Sequence, residues 1–585
     1  MDSIEERAAC WGIETQYWDG LGQHRIVTED VLSRLIEILG LNGKPTALDF
    51  PAVSVSHPAY QGHGNAPERM WGLAVQLYGV RSRHNWGHGD FTDLEMLIEI
   101  AAGLGASAIG LNPLHALFDN LADSYSPYSP SSRLFLNTHY IDAERIEEFP
   151  GLDEAGLADD VSALRQSELV DYVGLIKTKT RAFSLAYANF RRHGTARRKR
   201  EFASFRERGG HALLRFSCFE FLRRQHDGPW WTWPAEWRTP EDERLAALRA
   251  SQDEATGIHE FLQWVADSQW RACSTQAAAL GLPIGLYLDI AVGVRSDGFD
   301  AWNQQSVFEP ALEIGAPPDR LNLEGQRWGL AGINPIGLAE QGCAAFRRML
   351  AASMQYAGSI RLDHVLGLKR LYLIPKDMRA DQGAYVRLPF EPLLAAVSQE
   401  SLAHRCVVIG EDLGTVPDGF RETLADWGLW SYQVMLFQRA ADGGFVAPDH
   451  YARNALVTFA THDLPTFAGW MSSRDLAVKR ALGMDPGESD QERAAARDAI
   501  ARTMASRGFH TLDYPSLDRF LSETPSRLLM VSAEDVLGMM DQVNVPGTIA
   551  EHPNWRRRLP VCLEDLKGDR RLIALAKILS AERGR

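Results

Sequence analysis

The sequence predicts an α/β fold, a (β/α)8 TIM barrel with helical insertions between its strands and no C-terminal β-sandwich domain. Eight short apolar segments of β type recur along the chain, and amphipathic helical segments lie between most of them. Each apolar segment ends in polar or glycine-rich residues. Continuous apolar strands alternating with helices are typical of a parallel sheet covered by helices, and eight such units favour a closed barrel.

Residues 1–70 are predicted to form a helical lead-in and a connector. Apolar residues recur at helical intervals from residue 30 to 39, and Thr28 is placed as an N-cap. A loop-like stretch rich in Gly and Pro follows from residue 41. The barrel itself is predicted over 71–585, with strands at 71–79, 106–113, 284–292, 359–365, 406–412, 431–437, 455–463 and 527–535.

Two insertions are predicted within the barrel, because the strands are unevenly spaced. The first, 115–283, is expected to be largely helical, and the second, 293–358, is expected to supply a loop and a helix beside the active site. The first insertion carries a basic segment from Arg191 to Arg200. Such a segment can bind nucleic acid, but a solvated helix face is favoured here because the whole chain is acidic.

Composition and charge narrow the function. With 76 acidic and 61 basic residues the formal net charge is −15, which disfavours a nucleic-acid partner. The N-terminal segment has no signal-peptide pattern and no apolar run is long enough to span a bilayer, so a cytoplasmic protein without a membrane partner is expected. The six cysteines are scattered without a C-x-x-C pair, which argues against disulfides and a zinc ribbon. The 16 tryptophans suit either a large core or platforms for half-apolar ligands.

Charged residues cluster at the ends of three predicted strands. Asp363 ends the fourth strand, Glu411 the fifth and Asp463 the seventh, and the active site of such a barrel lies at this end of the strands. Each carboxylate alone would be explained by a helix cap or a neighbouring Arg, but three together favour catalysis. Paired carboxylates indicate glycoside chemistry. Metal-dependent hydrolysis is the rival, although the sequence contains no recognised metal-binding motif and no dinucleotide-binding or Walker A pattern.

Seven sequence blocks resemble one family of enzymes. They are SPYSPSSRLFLNTHYID (126–142), GLYLDIAVGV (285–294), GAPPDRLNLEGQRWGL (315–330), RLDHVLGL (361–368), GEDLGTVP (410–417), ATHDLPT (460–466) and NVPGT with NWRRRL (544–559). These blocks are similar, in this order and over nearly the whole chain, to the 4-α-glucanotransferases of glycoside hydrolase family 77, known as amylomaltases or disproportionating enzymes. The resemblance implies a barrel enzyme that transfers α-1,4-glucan segments, such as maltooligosaccharides, glycogen or starch, without a cofactor or metal.

The resemblance also implies residue roles. Asp363 corresponds to the nucleophile, Glu411 to the general acid and base, and Asp463 to the transition-state stabiliser. Arg361 lies two residues before Asp363 on the same strand face, so its cation is expected to keep Asp363 ionised. The pKa of Glu411 is expected to be raised by the carboxylates of Asp363 and Asp463.

Further residues are implied as substrate contacts. Tyr128 corresponds to an aromatic platform, His462 to a sugar-binding histidine, and Asn544 to a sugar contact after the eighth strand. Asp289 ends the third strand, and a loop over the acceptor side carries Asp319, Gln326 and Trp328. The same aromatic residues would be explained by ordinary packing outside these motifs.

Three other functions stay open at the level of sequence. An α-1,4-glucan hydrolase of the α-amylase type would use the same barrel chemistry. A non-catalytic glucan-binding protein is disfavoured by the intact set of three carboxylates, and a nucleic-acid-associated protein depends only on the basic segment at 191–200.

Overall fold

The fold described here is that of a computed structural model, which describes residues 3–40, 50–62, 68–319, 322–414 and 416–583. Two parts of the predicted connector, residues 41–49 and 63–67, lie outside these ranges. The strands are β1 Gln16–Trp18, β2 His24–Ile26, β3 Met70–Val75, β4 Ala108–Leu111, β5 His115–Ala116, β6 Ser132–Leu136, β7 Gly285–Ile290, β8 Phe308–Ala316, β9 Gln326–Ile333, β10 Ser359–Leu362, β11 Arg370–Pro375, β12 Ala384–Arg387, β13 Val407–Gly410, β14 Trp430–Val434, β15 Ala455–Thr458 and β16 Leu528–Ser532.

Eight of these strands close into a parallel barrel in the order β3, β4, β7, β10, β13, β14, β15 and β16. All eight predicted strands are therefore confirmed, although each is shorter than its apolar segment. Nearly every residue of these strands is buried, because one face fills the barrel interior and the other is covered by helices. The (β/α)8 prediction is confirmed.

The helices surround the barrel and build the first insertion. They are α1 Ile4–Cys10, α2 Glu29–Ile38, α3 Phe91–Gly103, α4 Leu152–Ala155, α5 Ala158–Gln166, α6 Tyr172–His193, α7 Ala196–Gln225, α8 Ala235–Arg238, α9 Asp242–Ser251, α10 Asp253–Ala279, α11 Phe299–Asn303, α12 Pro335–Glu340, α13 Ala344–Met354, α14 Phe390–His404, α15 Phe420–Asp426, α16 Phe467–Ser472, α17 Arg474–Ala481, α18 Asp490–Ala505, α19 Tyr514–Ser522, α20 Ala533–Val536, α21 Leu563–Leu566 and α22 Arg570–Arg583. Within the described ranges, none of these helices is both long enough and apolar enough to cross a membrane.

The basic segment of the first insertion is paired with acidic residues. The Arg198 guanidinium donates to both carboxylate oxygens of Glu148 at 3.0 and 2.9 Å and lies 4.1 Å from the ring centroid of Trp264. Arg197 pairs with Glu147 at 3.0 Å. These contacts agree with the helix-face interpretation, since they neutralise part of the positive charge that a nucleic acid would need.

The second insertion contains helices α11 to α13, in line with the prediction of a loop and a helix, but it also contains two strands that were not predicted. It contains β8 and β9, which join β11 and β12 in an antiparallel sheet of order β12-β11-β8-β9. The pairing of β8 with β9 shifts register twice, between Glu309 and Glu313 and between Ile314 and Gly315. These irregularities break the strict alternation of apolar and polar residues by which strands are predicted.

The lead-in also differs from the helical prediction, because the hairpin β1–β2 lies between its two helices. Each strand has three residues, and Tyr17 is the one residue of β1 that is buried. A strand this short shows no periodic pattern in the sequence. The predicted N-cap position of Thr28 is confirmed, although its side chain makes no capping hydrogen bond.

The C-terminal helix α22 holds the last barrel strand, β16, and the first, β3, together where the barrel closes. The Arg583 side chain is fully buried, and its guanidinium donates to the carbonyls of Met70 at 2.9 Å and Ser522 at 3.1 Å, and to that of Ser526. One side chain thus satisfies buried carbonyls from the first barrel strand and from the segment that leads into the last.

We expect Arg583→Ala to lower the free energy of unfolding by about 2–4 kcal/mol, because several buried carbonyls lose their donors. Urea denaturation monitored by tryptophan fluorescence measures this loss. Arg570→Ala, at the exposed start of the same helix, serves as the matched control and should leave stability nearly unchanged. Equal stability of the two variants would contradict the locking role of Arg583.

Candidate active site

The registers of three neighbouring barrel strands bring together a cation and two carboxylates. Arg361 on β10 pairs directly across from Asp289 on β7, so both side chains lie on the same face of the sheet. Arg361 Nη1 donates to both oxygens of Asp289 at 2.7 and 2.8 Å, while Nη2 lies 2.9 Å from Asp363 Oδ1. Only 6% of the Arg361 side chain is exposed. The guanidinium is therefore a buried cation shared between two carboxylates.

Glu411 follows β13 at the same level as Asp363. Leu362 pairs with Gly410 in the parallel register, so the next residue of each strand ends beside the other. Glu411 Oε2 accepts from the backbone N–H of His364 at 2.8 Å, and Oε1 accepts from that of Leu413 at 3.0 Å. His364 has a φ of 47°, a left-handed conformation that is uncommon for histidine. The next N–H, that of Val365, donates to the Glu411 carbonyl at 3.0 Å, so two consecutive N–H groups connect the two strand ends.

Tyr128 and His462 extend the network to the seventh strand. The Tyr128 hydroxyl donates to Asp289 Oδ2 at 2.6 Å and lies 3.0 Å from His462 Nδ1. Because that hydroxyl has only one proton, His462 Nδ1 is the donor to it. His462 Nε2 lies 3.3 Å from Asp463 Oδ2, and Asn544 Nδ2 donates to Asp463 Oδ1 at 2.6 Å. The Tyr128 and His462 rings stack with centroids 4.4 Å apart.

Gln326 and Trp328 lie on β9 of the antiparallel sheet, and Asp319 lies in the segment between β8 and β9, so none of the three is on a barrel strand. Gln326 Nε2 donates to Asp319 Oδ2 at 3.3 Å, and Trp328 Nε1 donates to Gln326 Oε1 at 3.3 Å. The Trp328 ring meets the His364 ring edge to face, with centroids 5.3 Å apart. These contacts join the sheet to the strand end that carries Asp363.

The environment of Asp363 agrees with the expectation that Arg361 favours its ionised form, although burial opposes that effect. The pKa of Asp363 is raised to about 6, mainly by burial. The charge of Arg361 lowers this pKa, whereas the charges of Asp289 and Glu411 raise it further. The cation of Arg361 therefore limits this rise and does not abolish it. A carboxyl with this pKa is still mostly ionised at neutral pH.

The pKa of Glu411 is raised, as expected, but for a different reason. Burial is the main cause, and the neighbouring carboxylate that raises it is Asp412, whereas Arg361 and two backbone N–H groups lower it. The expected repulsion between Asp363 and Glu411 is seen in the raised pKa of Asp363, whereas Asp463 is not among the main causes of the Glu411 shift. His462 and Asp463 shift each other's pKa in the same site. Burial disfavours the charged form of His462, but the Asp463 carboxylate raises the pKa of His462 above its usual value. In turn His462 and Asn544 hold the pKa of Asp463 below its usual value despite burial.

Comparisons with known proteins place this chain in a family. The model of the family described as 4-alpha-glucanotransferase, Glyco_hydro_77, matches residues 75–564. The chain belongs to the 4-α-glucanotransferase family. It is 34% identical over 529 residues to a 4-alpha-glucanotransferase of Haemophilus influenzae, covering 84% of this chain and 76% of the relative. It is 35% identical over 552 residues to one of Mycobacterium tuberculosis, covering 88% and 75%.

A solved structure of the same family supports the fold assignment. The amylomaltase of Corynebacterium glutamicum matches with a TM-score of 0.84 and 26% identity, covering 98% of this chain and 99% of that one. An amylomaltase of Streptococcus agalactiae, at 20% identity and a TM-score of 0.71, shares the fold, with coverage of 88% of this chain and 99% of that one. The family assignment makes this chain an enzyme.

Trp555 belongs to this site but was not singled out from the sequence. Its ring is 6% exposed and lies 5.3 Å from the Tyr128 ring and 5.4 Å from the His462 ring between centroids. Its φ is 57°, and its carbonyl accepts from the Tyr172 hydroxyl at 2.9 Å. The NWRRRL block contains this residue, so the available signal was its place inside a family motif. Trp555 backs the Tyr128–His462 stack and is a candidate positioning residue.

We expect Trp555→Ala to lower kcat for glucan transfer about 10- to 100-fold, with a smaller change in KM. The reason is that Tyr128 and His462 lose the ring that orients them. Trp555→Phe should restore most of kcat. Steady-state kinetics on maltotriose measure both variants.

Trp233, a buried tryptophan of the first insertion, supplies the matched control. Trp233→Ala should lower thermal stability through its cavity but leave kcat per folded molecule nearly unchanged. If Trp555→Ala likewise lowered thermal stability and left kcat unchanged, Trp555 would be a packing residue without a positioning role.

Proposed function

We propose that this chain transfers a segment of a 1,4-α-D-glucan to the 4-hydroxyl of an acceptor glucan or glucose through a covalent glycosyl-Asp363 intermediate. The observation that carries the proposal is the placement of Asp363 and Glu411 at adjoining strand ends beside the buried Arg361. A retaining mechanism needs one ionised and one protonated carboxyl. The raised pKa of Glu411 favours its protonated form, and Asp363, with a pKa of about 6, is mostly ionised at neutral pH.

The first step forms the glycosyl-enzyme. An Asp363 carboxylate oxygen attacks the anomeric carbon, the bond from that carbon to the glycosidic oxygen breaks, and the Glu411 proton passes to the departing 4-oxygen. In the second step the 4-hydroxyl of the acceptor attacks the same carbon, Glu411 takes its proton, and the ester to Asp363 breaks. Two inversions leave the new linkage in the α configuration.

The surrounding residues suit the transition state of these steps. An oxocarbenium-like ring carries positive charge, and the carboxylate of Asp463 is held ionised by His462 and Asn544. Asp289, Tyr128 and His462 offer polar groups for sugar hydroxyls at the same end of the barrel. We propose that Trp328, Gln326 and Asp319 contact the acceptor, because Trp328 lies against His364 beside Asp363.

Hydrolysis is the second candidate, since water could replace the acceptor hydroxyl in the second step. Family membership favours transfer, because the matching family model and the relatives named above are described as glucanotransferases. Incubation with maltotriose separates the two reactions. We expect glucose together with a ladder of longer maltodextrins, whereas glucose and maltose without longer products would show a hydrolase and contradict the proposal.

Asp363→Asn should abolish the maltotriose reaction while leaving binding of maltodextrins measurable by calorimetry, because the amide keeps the shape but loses the nucleophile. Asp377→Asn, an exposed carboxylate that pairs with Arg34, is the matched control and should keep wild-type turnover. Turnover by Asp363→Asn at the wild-type rate would refute the assignment of the nucleophile.

The pKa values predict a bell-shaped pH profile. Asp363 acts as a carboxylate, so kcat/KM should fall as the pH drops through about 6. Glu411 must be protonated for the first step, so activity should also fall on the alkaline side, at a pH above the usual carboxyl range. Initial rates in buffers of constant ionic strength measure both limbs.

Arg361→Gln should lower the rate and move both limbs to higher pH, because Arg361 lowers the pKa of both Asp363 and Glu411. Arg347→Gln removes a half-buried arginine on α13 and should leave the limbs in place. An unmoved acidic limb in Arg361→Gln would show that the group titrating there is not Asp363.

A further inference from the structure

The N-terminal hairpin exposes an aromatic ring on a face without formal charge. Gln16 and Trp18 on β1 and His24 and Ile26 on β2 are the exposed residues, and they share one face because they pair across the hairpin. The Trp18 side chain is 61% exposed and Ile26 is 76% exposed. The Trp18 and His24 rings lie 5.2 Å apart between centroids. Large apolar side chains grouped on an exposed surface often mark a binding site.

The opposite face of the hairpin is fixed to the antiparallel sheet. The Tyr17 ring meets the rings of Tyr372 and Tyr385 edge to face, at 5.7 and 5.5 Å between centroids. The buried Asp19 carboxylate accepts from the backbone N–H groups of Leu21 and Gln23 and from Arg25, so it orders the turn. The backbone of the exposed face, which we call the Trp18 platform, is therefore ordered before any ligand binds, and this reduces the entropic cost of binding.

A continuous series of contacts connects this platform to the candidate active site. The Gly20 N–H donates to the Pro318 carbonyl at 2.9 Å, and a Cβ on Gly20 would lie 2.5 Å from the Cβ of Asp319. A glycine is thus needed for this close approach. From Asp319 the contacts pass to Gln326 and Trp328, and from Trp328 to the His364 ring beside Asp363.

We propose that Trp18 forms an additional subsite for a distal glucose unit of a long α-1,4-glucan whose reacting unit lies at Asp363. This inference rests on the proposed transfer function. A glucose ring has an apolar C–H face that stacks on an indole, and the neighbouring Gln16 and His24 can bond its hydroxyl edge. The uncharged face suits a neutral polysaccharide, whereas an acidic or basic peptide would find no complementary charge there.

Chain length provides the test of the subsite. We expect Trp18→Ala to raise KM for a long linear maltodextrin about three- to tenfold, since one stacked ring is lost, while kcat stays within about twofold. Kinetics on maltotriose should be unchanged, because a short substrate does not reach the platform. Trp18→Phe should recover much of the affinity, and Leu280→Ala, an exposed apolar residue next to the end of α10, is the matched control.

The outcomes separate this inference from the proposed function. A maltotriose ladder from wild type, with equal KM values for the long maltodextrin in wild type and Trp18→Ala, would overturn the subsite and keep the transferase. Absence of the ladder from wild type would overturn the transferase and the subsite with it. Sedimentation of both proteins checks the platform as a contact between two copies, and a loss of self-association in Trp18→Ala without a KM change would also overturn the subsite.

Discussion

The buried guanidinium of Arg361 is the constraint on which the site depends. It pairs with Asp289 through two hydrogen bonds and with Asp363 through one contact, and its side chain is almost fully excluded from water. Removing one partner of such a buried pair costs about 3–5 kcal/mol, because the remaining charge is uncompensated. Both carboxylates therefore depend on Arg361, and the buried cation of Arg361 depends on them. The arrangement keeps a buried carboxylate in a usable ionised form while burial strengthens its electrostatic interactions.

The register of the barrel strands sets the positions of these residues. In a parallel ladder, Arg361 faces Asp289 across one strand pair, and the next pair sets Leu362 against Gly410, so Asp363 and Glu411 follow side by side. The His364 N–H then donates to the Glu411 carboxylate. From Asp289 the network passes through Tyr128 and His462 to Asp463, which connects the third, fourth and seventh strands of the barrel. Residues far apart in sequence thus share one hydrogen-bonded system.

The parts of the molecule that follow a regular period were predictable from the sequence. Buried strands such as β7 and β10 form apolar segments, and the charged residues at their ends mark the site because burial of unpaired charge is costly. The hairpin β1–β2 was missed because three-residue strands have no period, and β8 with β9 was missed because register shifts interrupt the alternation. Trp555 was missed because its role comes from contacts with Tyr128 and His462, which lie more than 90 residues away along the chain. The causes of the pKa shift of Glu411 were also hidden, since the degree of burial depends on the whole fold.

The central claim is that Asp363 is the nucleophile of a covalent mechanism. A direct test uses Glu411→Gln with α-maltosyl fluoride, whose fluoride leaves without acid help, in the absence of an acceptor. The glycosyl-enzyme should then form and accumulate, because no acid or base remains to assist its turnover. Mass spectrometry of the digested protein should find one maltosyl group on the peptide that contains Asp363. An adduct on another residue, or fluoride release without any adduct, would contradict the account.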